Sequence, residues 1–353
     1  NYTVSATVND KAGNPGSASH NLAVDTTAPV LTINTVAGDD IINDAEHAQA
    51  LVISGTSTGG EAGDVVSVVL NGKTYTTTLD ASGNWSVGVP AADVTALGSG
   101  AQTITASVSD RAGNSDDASR TVTVSLSAPV ISINTIAGDD VINATEKGSD
   151  LMLSGTSDQP AGTAITVTLN GQNYSATTDA SGNWSVTVPA SAVSALGEAT
   201  YSVTASVTNA QGNSSTASHN VQVNTALPSV TINPVTTDDI INAAEAGSAQ
   251  TISGQVTGAA AGSTVTVELG GKTYTATVQA DLSWNVSVPA ADWQALGNGE
   301  LTVNASVTNA VGNTGSGTRD ITIDASLPGL RVDTVAGDDV VNAAEHGSSL
   351  VIS

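Results

Sequence analysis

The chain is 353 residues long and carries 33 acidic side chains against 8 lysines and arginines, a net charge of −25. That balance argues against nucleic acid and anionic membrane as partners, because both need Lys and Arg to displace counterions. It favours solubility and cation binding. No apolar run approaches the ~18 residues of a membrane span. Cysteine is absent; a secreted protein without cysteine must staple its small domains some other way, with a metal ion the obvious candidate. With no phenylalanine and 3% aromatics, the core must come from Val, Ile, Leu and Ala.

Taken in chain order, the sequence repeats itself. Residues 1–27 match only the end of a unit. Full units run over 28–126, 127–225 and 226–325, and 326–353 match only a beginning. The incomplete flanks predict a window cut from a longer array. The landmarks are VNDKAGN (8–14), VSDRAGN (108–114), VTNAQGN (207–213) and VTNAVGN (307–313). Tryptophans recur as Trp85, Trp184 and Trp284, and prolines close the junctions at DTTAP (25–29), LSAP (126–129), NTALP (224–228) and DASLP (324–328). A unit of about a hundred residues is large enough to bury its own core. Proline at each junction restricts the linker, and no Gly/Ser-rich linker separates the units.

Within the first full unit, short runs rich in Val, Ile, Thr and Tyr follow one another: 30–34, 51–54, 65–70, 73–79, 85–89, 102–108 and 119–125. Several alternate apolar and polar residues, the pattern of a half-buried strand. Asn71-Gly72 is a two-residue hairpin turn, and only Ala91–Leu97 reads as a turn of helix. Seven strands joined by turns predict an all-β chain, a tandem array of seven-stranded immunoglobulin-like β-sandwiches. The three tryptophans read as packing residues, since no partner aromatic repeats beside them to form a sugar platform.

The most informative element is GDDIIN at 38–43, which returns as GDDVIN (138–143), TDDIIN (237–242) and GDDVVN (337–342), each followed three residues later by glutamate. The candidate ligands are Asp39, Asp40, Asn43 and Glu46; Asp139, Asp140, Asn143 and Glu146; Asp238, Asp239, Asn242 and Glu245; and Asp338, Asp339, Asn342 and Glu345. Clustered oxygen donors without His or Cys suit calcium, which takes six to eight oxygens in irregular geometry, and weigh against zinc or a redox metal. The alternative is structural: Asp and Asn favour turns, and Glu46 would cap a helical turn. If strands alternate in direction, the acidic loop between the first and second strands lies where the chain leaves the seventh. The loop between the sixth and seventh strands of the next unit faces the same region. That adds Asp25 and Asp324 from strand exits and Asp110 from a hairpin loop as auxiliary ligands. Ser125, Asn224, Asn209 and Asn309 stand at the equivalent places elsewhere, predicting weaker sites there.

These motifs, with DASGNWSVTVP at 179–189 and INTVAGDDIIN at 33–43, resemble the bacterial Ig-like repeats of giant surface adhesins, most closely the biofilm-associated proteins exported by type 1 secretion. The resemblance spans the whole chain. It implies a calcium-stiffened extender on the bacterial cell surface or in the extracellular matrix, promoting adhesion, aggregation and biofilm formation. The partners implied are calcium, neighbouring repeats, and like adhesins on other cells or a host surface. Two other readings stay open: a module that binds glycan or protein directly, and a non-catalytic spacer of a secreted enzyme. No nucleophile–base set recurs, so no enzymatic activity is expected.

Overall fold

A computed structural model describes residues 1–352. The chain opens with a two-stranded antiparallel hairpin, β1 (Tyr2–Asn9) and β2 (Pro15–Leu22), exposed along its whole length. The first full repeat follows as β3 (Val30–Leu31), β4 (Ile41–Ile42), α1 (Asp44–His47), β5 (Leu51–Thr58), β6 (Val65–Leu70), β7 (Lys73–Thr78), β8 (Asn84–Val89), α2 (Ala91–Thr95), β9 (Gly100–Ser109) and β10 (Ser115–Val124). Its sheets are ordered β3-β5-β8 and β4-β10-β9-β6-β7. This is the sandwich that the strand pattern predicts. Strand β5 buries every second residue, and β6 does the same through Val66, Val68 and Leu70. Asn71 and Gly72 both take positive φ, 48° and 73°, the combination a tight hairpin with matching twist requires.

The middle repeat supplies β11 (Val141–Ile142), β12 (Leu151–Thr156), β13 (Ala164–Leu169), β14 (Gln172–Thr177), β15 (Asn183–Val188), α3 (Ala190–Ser194), β16 (Thr200–Thr208) and β17 (Ser214–Val223). The third supplies β18 (Ser229–Ile232), β19 (Ile240–Asn242), α4 (Ala243–Ala246), β20 (Gln250–Thr257), β21 (Thr264–Leu269), β22 (Lys272–Thr277), β23 (Ser283–Val288), α5 (Ala290–Ala295), β24 (Gly299–Thr308) and β25 (Thr314–Asp324). Both reproduce the five-stranded order, β11-β17-β16-β13-β14 and β19-β25-β24-β21-β22.

Each sandwich closes on its tryptophan. Trp85, Trp184 and Trp284 are 3%, 2% and 1% exposed, which settles them as packing residues. A glycine on the facing strand makes room: a Cβ on Gly55 would lie 1.9 Å from the Thr32 carbonyl and 2.6 Å from the Trp85 ring. Gly155 and Gly254 stand in the same relation to Trp184 and Trp284.

Two details differ from the sequence reading. Part of the acidic loop is strand: Ile41 and Ile42 pair in parallel with Thr123 and Val124 of β10, as do the matching residues of β11 with β17 and β19 with β25. Two apolar residues between Asp and Asn are too short a run to register as a strand, yet Ile42 is fully buried. Residues 326–352, where the first two strands of a further repeat are expected, hold only a 3-10 turn at Val335–Gly337. Strand β5 pairs with β3 on one side and β8 on the other; residues 326–352 hold no counterpart of β8, and a short isolated pair is marginal in water.

The chain divides into two compact units. One holds Asn1–Ile136, Met152–Val188 and Ser202–Asn220; the other holds Ala137–Leu151, Pro189–Tyr201 and the residues from Val221 on. The division runs through the middle repeat. One part of it groups with the first repeat and the rest with the third.

Candidate functional site

The acidic turn folds on its own side chains. Ala37, Gly38 and Asp40 have φ of 55°, 96° and 65°, which turns the chain within four residues and lets the Asp40 amide donate to the Val36 carbonyl at 2.8 Å. Asp40 Oδ1 accepts from the Val36 amide at 3.0 Å, and Asp39 Oδ1 accepts from the Ile41 amide at 2.9 Å. Asn43 then caps α1: its Oδ1 accepts from the Glu46 amide, and Glu46 Oε2 accepts from the Asn43 amide, both at 3.1 Å. The reciprocal bonds recur at Asn143/Glu146, Asn242/Glu245 and Asn342/Glu345. The last copy forms them without a sandwich around it, so the DDxxNxxE pattern encodes a local turn.

The paired aspartates have different environments. Arg120 on β10 grips Asp40, with Nε 2.6 Å from Oδ1 and Nη2 on Oδ2, and donates through Nη1 to the Ile33 carbonyl. Arg319 holds Asp239 and the Ile232 carbonyl in the same way. The guanidinium keeps Asp40 and Asp239 below the usual carboxylate range, against an opposing effect of burial. Asp39, Asp139, Asp238 and Asp338 are exposed, and each turns one oxygen to the amide two residues on.

Beside each of the first three turns lies the exit of the repeat. The Ser125 amide donates to the Ile42 carbonyl and the Asn224 amide to the Ile142 carbonyl, both at 3.0 Å. The tip between β16 and β17 reaches the same place from the following repeat. Asn213, 3% exposed, accepts from the Asp44 amide at 2.8 Å and donates to the Ser125 carbonyl at 2.8 Å. Asn313, 2% exposed, accepts from the Ala144 amide at 2.7 Å and donates to the Asn224 carbonyl at 2.8 Å. The expected meeting of acidic loop, strand exit and next hairpin tip is thus present at both junctions. Asn209 and Asn309 add bonds to the Ser127 and Ala226 carbonyls.

Sequence reasoning singled out Asn209 and Asn309 and passed over Asn213 and Asn313. The signal was available: asparagine ends this motif in all four copies, at 14, 114, 213 and 313, while the position four residues earlier is Asp in the first two copies and Asn in the last two. At the first tip Asp110 takes the Asn114 amide and side chain, each at 2.9 Å, and Asn114 Nδ2 also lies 3.3 Å from the Asp25 carbonyl. The Asn114 side chain is the main reason the Asp110 carboxyl stays low. Asp25 and Asp324 each accept from an amide two residues on.

As a donor set, the turn and exit offer carboxylate, amide and carbonyl oxygens with no sulfur, which fits a hard cation and no soft one. Among the described residues, no three or more Asp, Glu, His or Cys side chains are gathered as a metal cage.

Repeated two-sheet sandwiches joined through short proline-ended linkers define the class: tandem immunoglobulin-like modules. The bacterial Ig-like domain family matches residues 29–126 and 127–225, and the chain belongs to that family. Among solved structures it is similar to a Ca2+-stabilised adhesin that helps an Antarctic bacterium reach out and bind ice, with 37% identity, 91% of this chain and 81% of that one covered, and a TM-score of 0.51. A structure concerned with host cell surface retention of a 1.5-MDa bacterial ice-binding adhesin shares 32% identity over 86% of this chain and 100% of that one, with a TM-score of 0.46. No curated protein matches the chain. Among the described residues no helix is long and apolar enough to cross a membrane.

Proposed function

We propose that this chain is an extender segment of a bacterial cell-surface adhesin, in which calcium at the acidic turns and junctions limits bending between repeats. The observation that carries the reading is the convergence at each junction: acidic turn, strand exit and the tip of the next hairpin meet within hydrogen-bonding distance. Supporting it are the similarity to a calcium-stabilised adhesin and a charge of −25 that cations would partly neutralise. Asp39, Asp139, Asp238 and Asp338 are the primary ligands in this reading. Asn43, Glu46 and their equivalents are nearby oxygen donors, and Asp25, Asp110 and Asp324 are auxiliary. Asp40 and Asp239 join only by giving up their arginines, and Asp140 and Asp339 hold the same place in their turns. Adhesion, aggregation and biofilm formation follow from carrying an adhesive region away from a cell. Type 1 secretion belongs to this reading through the resemblance to large adhesins, and no reaction is assigned to the chain. The test is calorimetric titration of the metal-stripped chain with calcium. Saturable binding that weakens when Asp39, Asp139, Asp238 and Asp338 become Asn supports the reading, and no binding heat at millimolar calcium removes it.

A further inference from the structure

We propose that the tips carrying Asn213 and Asn313 are docking surfaces for the preceding repeat, and that each asparagine is a latch that holds its junction without metal. Both polar atoms of a nearly buried amide are used across the junction. Oδ1 of Asn213 takes the first amide of α1, at Asp44, and Nδ2 gives to the Ser125 carbonyl. Asn313 does the same with Ala144 and Asn224. The Asp44 amide begins a helical turn whose third residue, Glu46, is already capped by Asn43 from its own repeat. The following repeat thus supplies a second cap in trans to an amide the turn leaves unpaired.

The glycine before each asparagine lies against the same turn. Gly212 and Gly312 have φ of 85° and 82°. A Cβ there would lie 2.8 Å from Asn43 Nδ2 and 3.1 Å from Asn143 Nδ2, side chains of the preceding repeat. The tip is therefore shaped to the turn it meets. At the tip carrying Asp110, Asn114 Nδ2 donates to that carboxylate at 2.9 Å and also lies 3.3 Å from the Asp25 exit carbonyl. At the tips carrying Asn209 and Asn309, the amides of Asn213 and Asn313 donate to the exit carbonyls at 2.8 Å.

The experiment is residue-resolved amide hydrogen exchange on the whole chain, with calcium and with EGTA. In Asn213→Ala the Asp44 amide should exchange about tenfold faster, the equivalent of one lost hydrogen bond, while the Glu46 amide keeps its rate. Asn313→Ala should do the same at Ala144, and carries the decision if the first variant does not fold. In the unsubstituted chain, protection at Asp44 and Ala144 should survive EGTA. Unchanged exchange at these amides in the folded variants overturns the latch, and so does their loss of protection in EGTA. A chain that binds no calcium leaves the latch intact, so this result and the calcium reading fail separately.

Discussion

Arg120 holds Asp40 from 80 residues away, with Nε 2.6 Å from Oδ1 and a second nitrogen on Oδ2. This contact ties the connection between β3 and β4 to β10 and divides the work of the aspartate pair. Asp40 closes the fold, and Asp39 beside it faces solvent. Replacing Arg120 by Ala should lower the denaturant midpoint of the first repeat at neutral pH. The pH dependence follows in sign: a carboxyl held below its unfolded value contributes stability above that value and loses it as pH falls. The penalty of the substitution should therefore shrink below about pH 4. Urea titrations of both forms at pH 7 and pH 3 check this; an equal penalty at both values contradicts it.

The same division selects the substitution that tests calcium at the turns. Asp239→Ala breaks an arginine pair and Glu245→Gln alters a cap, so both disturb the fold directly. Asp39→Asn, with Asp139, Asp238 and Asp338 changed alike, keeps an oxygen for the amide two residues on and removes only charge. With a dissociation constant near ~10⁻⁴ M and about 1 mM calcium, each site adds roughly 1.4 kcal/mol. Thermal melts should separate in calcium and EGTA for the unsubstituted chain and converge for the fourfold variant. Equal separation in both places the ions elsewhere.

Gly55→Ala should be among the most damaging single changes, costing about 3 kcal/mol, because the new methyl meets a backbone carbonyl and the buried Trp85 together. Gly98→Ala, with nothing within 4 Å of the added carbon, should be close to neutral. Guanidinium melts of the two variants make the comparison. Similar midpoints would mean that the sandwich relaxes around the tryptophan.

The hairpin β1–β2 is exposed throughout, and residues 326–352 contain no strand. Amides in both segments should exchange fastest of all in a monomeric sample. Protection there equal to that of β9 and β10 would contradict the assignment.

Much of this was legible in the sequence. The hundred-residue period marks the repeats, alternation marks β5 and β6, and Asn71-Gly72 marks its hairpin. Two things were less so. Ile41-Ile42 is too short to announce a strand, and it becomes one only because β10 is present to pair with it. The acidic turn was ambiguous for a physical reason: the residues that bind hard cations are those that bend and cap backbones. Asn43 and Glu46 cap α1, and Asp40 meets an arginine whose distance in sequence hides the contact. Asn213 and Asn313 looked like ordinary turn residues because their partners lie 169 positions away.

The central claim is that calcium limits bending between repeats. Small-angle scattering of the unsubstituted chain, in calcium and in EGTA at one ionic strength, tests it most directly. The account predicts a longer maximum dimension and a narrower distribution of shapes with calcium, and loss of that difference when Asp39, Asp139, Asp238 and Asp338 are changed to Asn. Superimposable profiles with and without calcium would contradict it and leave proline and the asparagine bonds as what fixes the junctions.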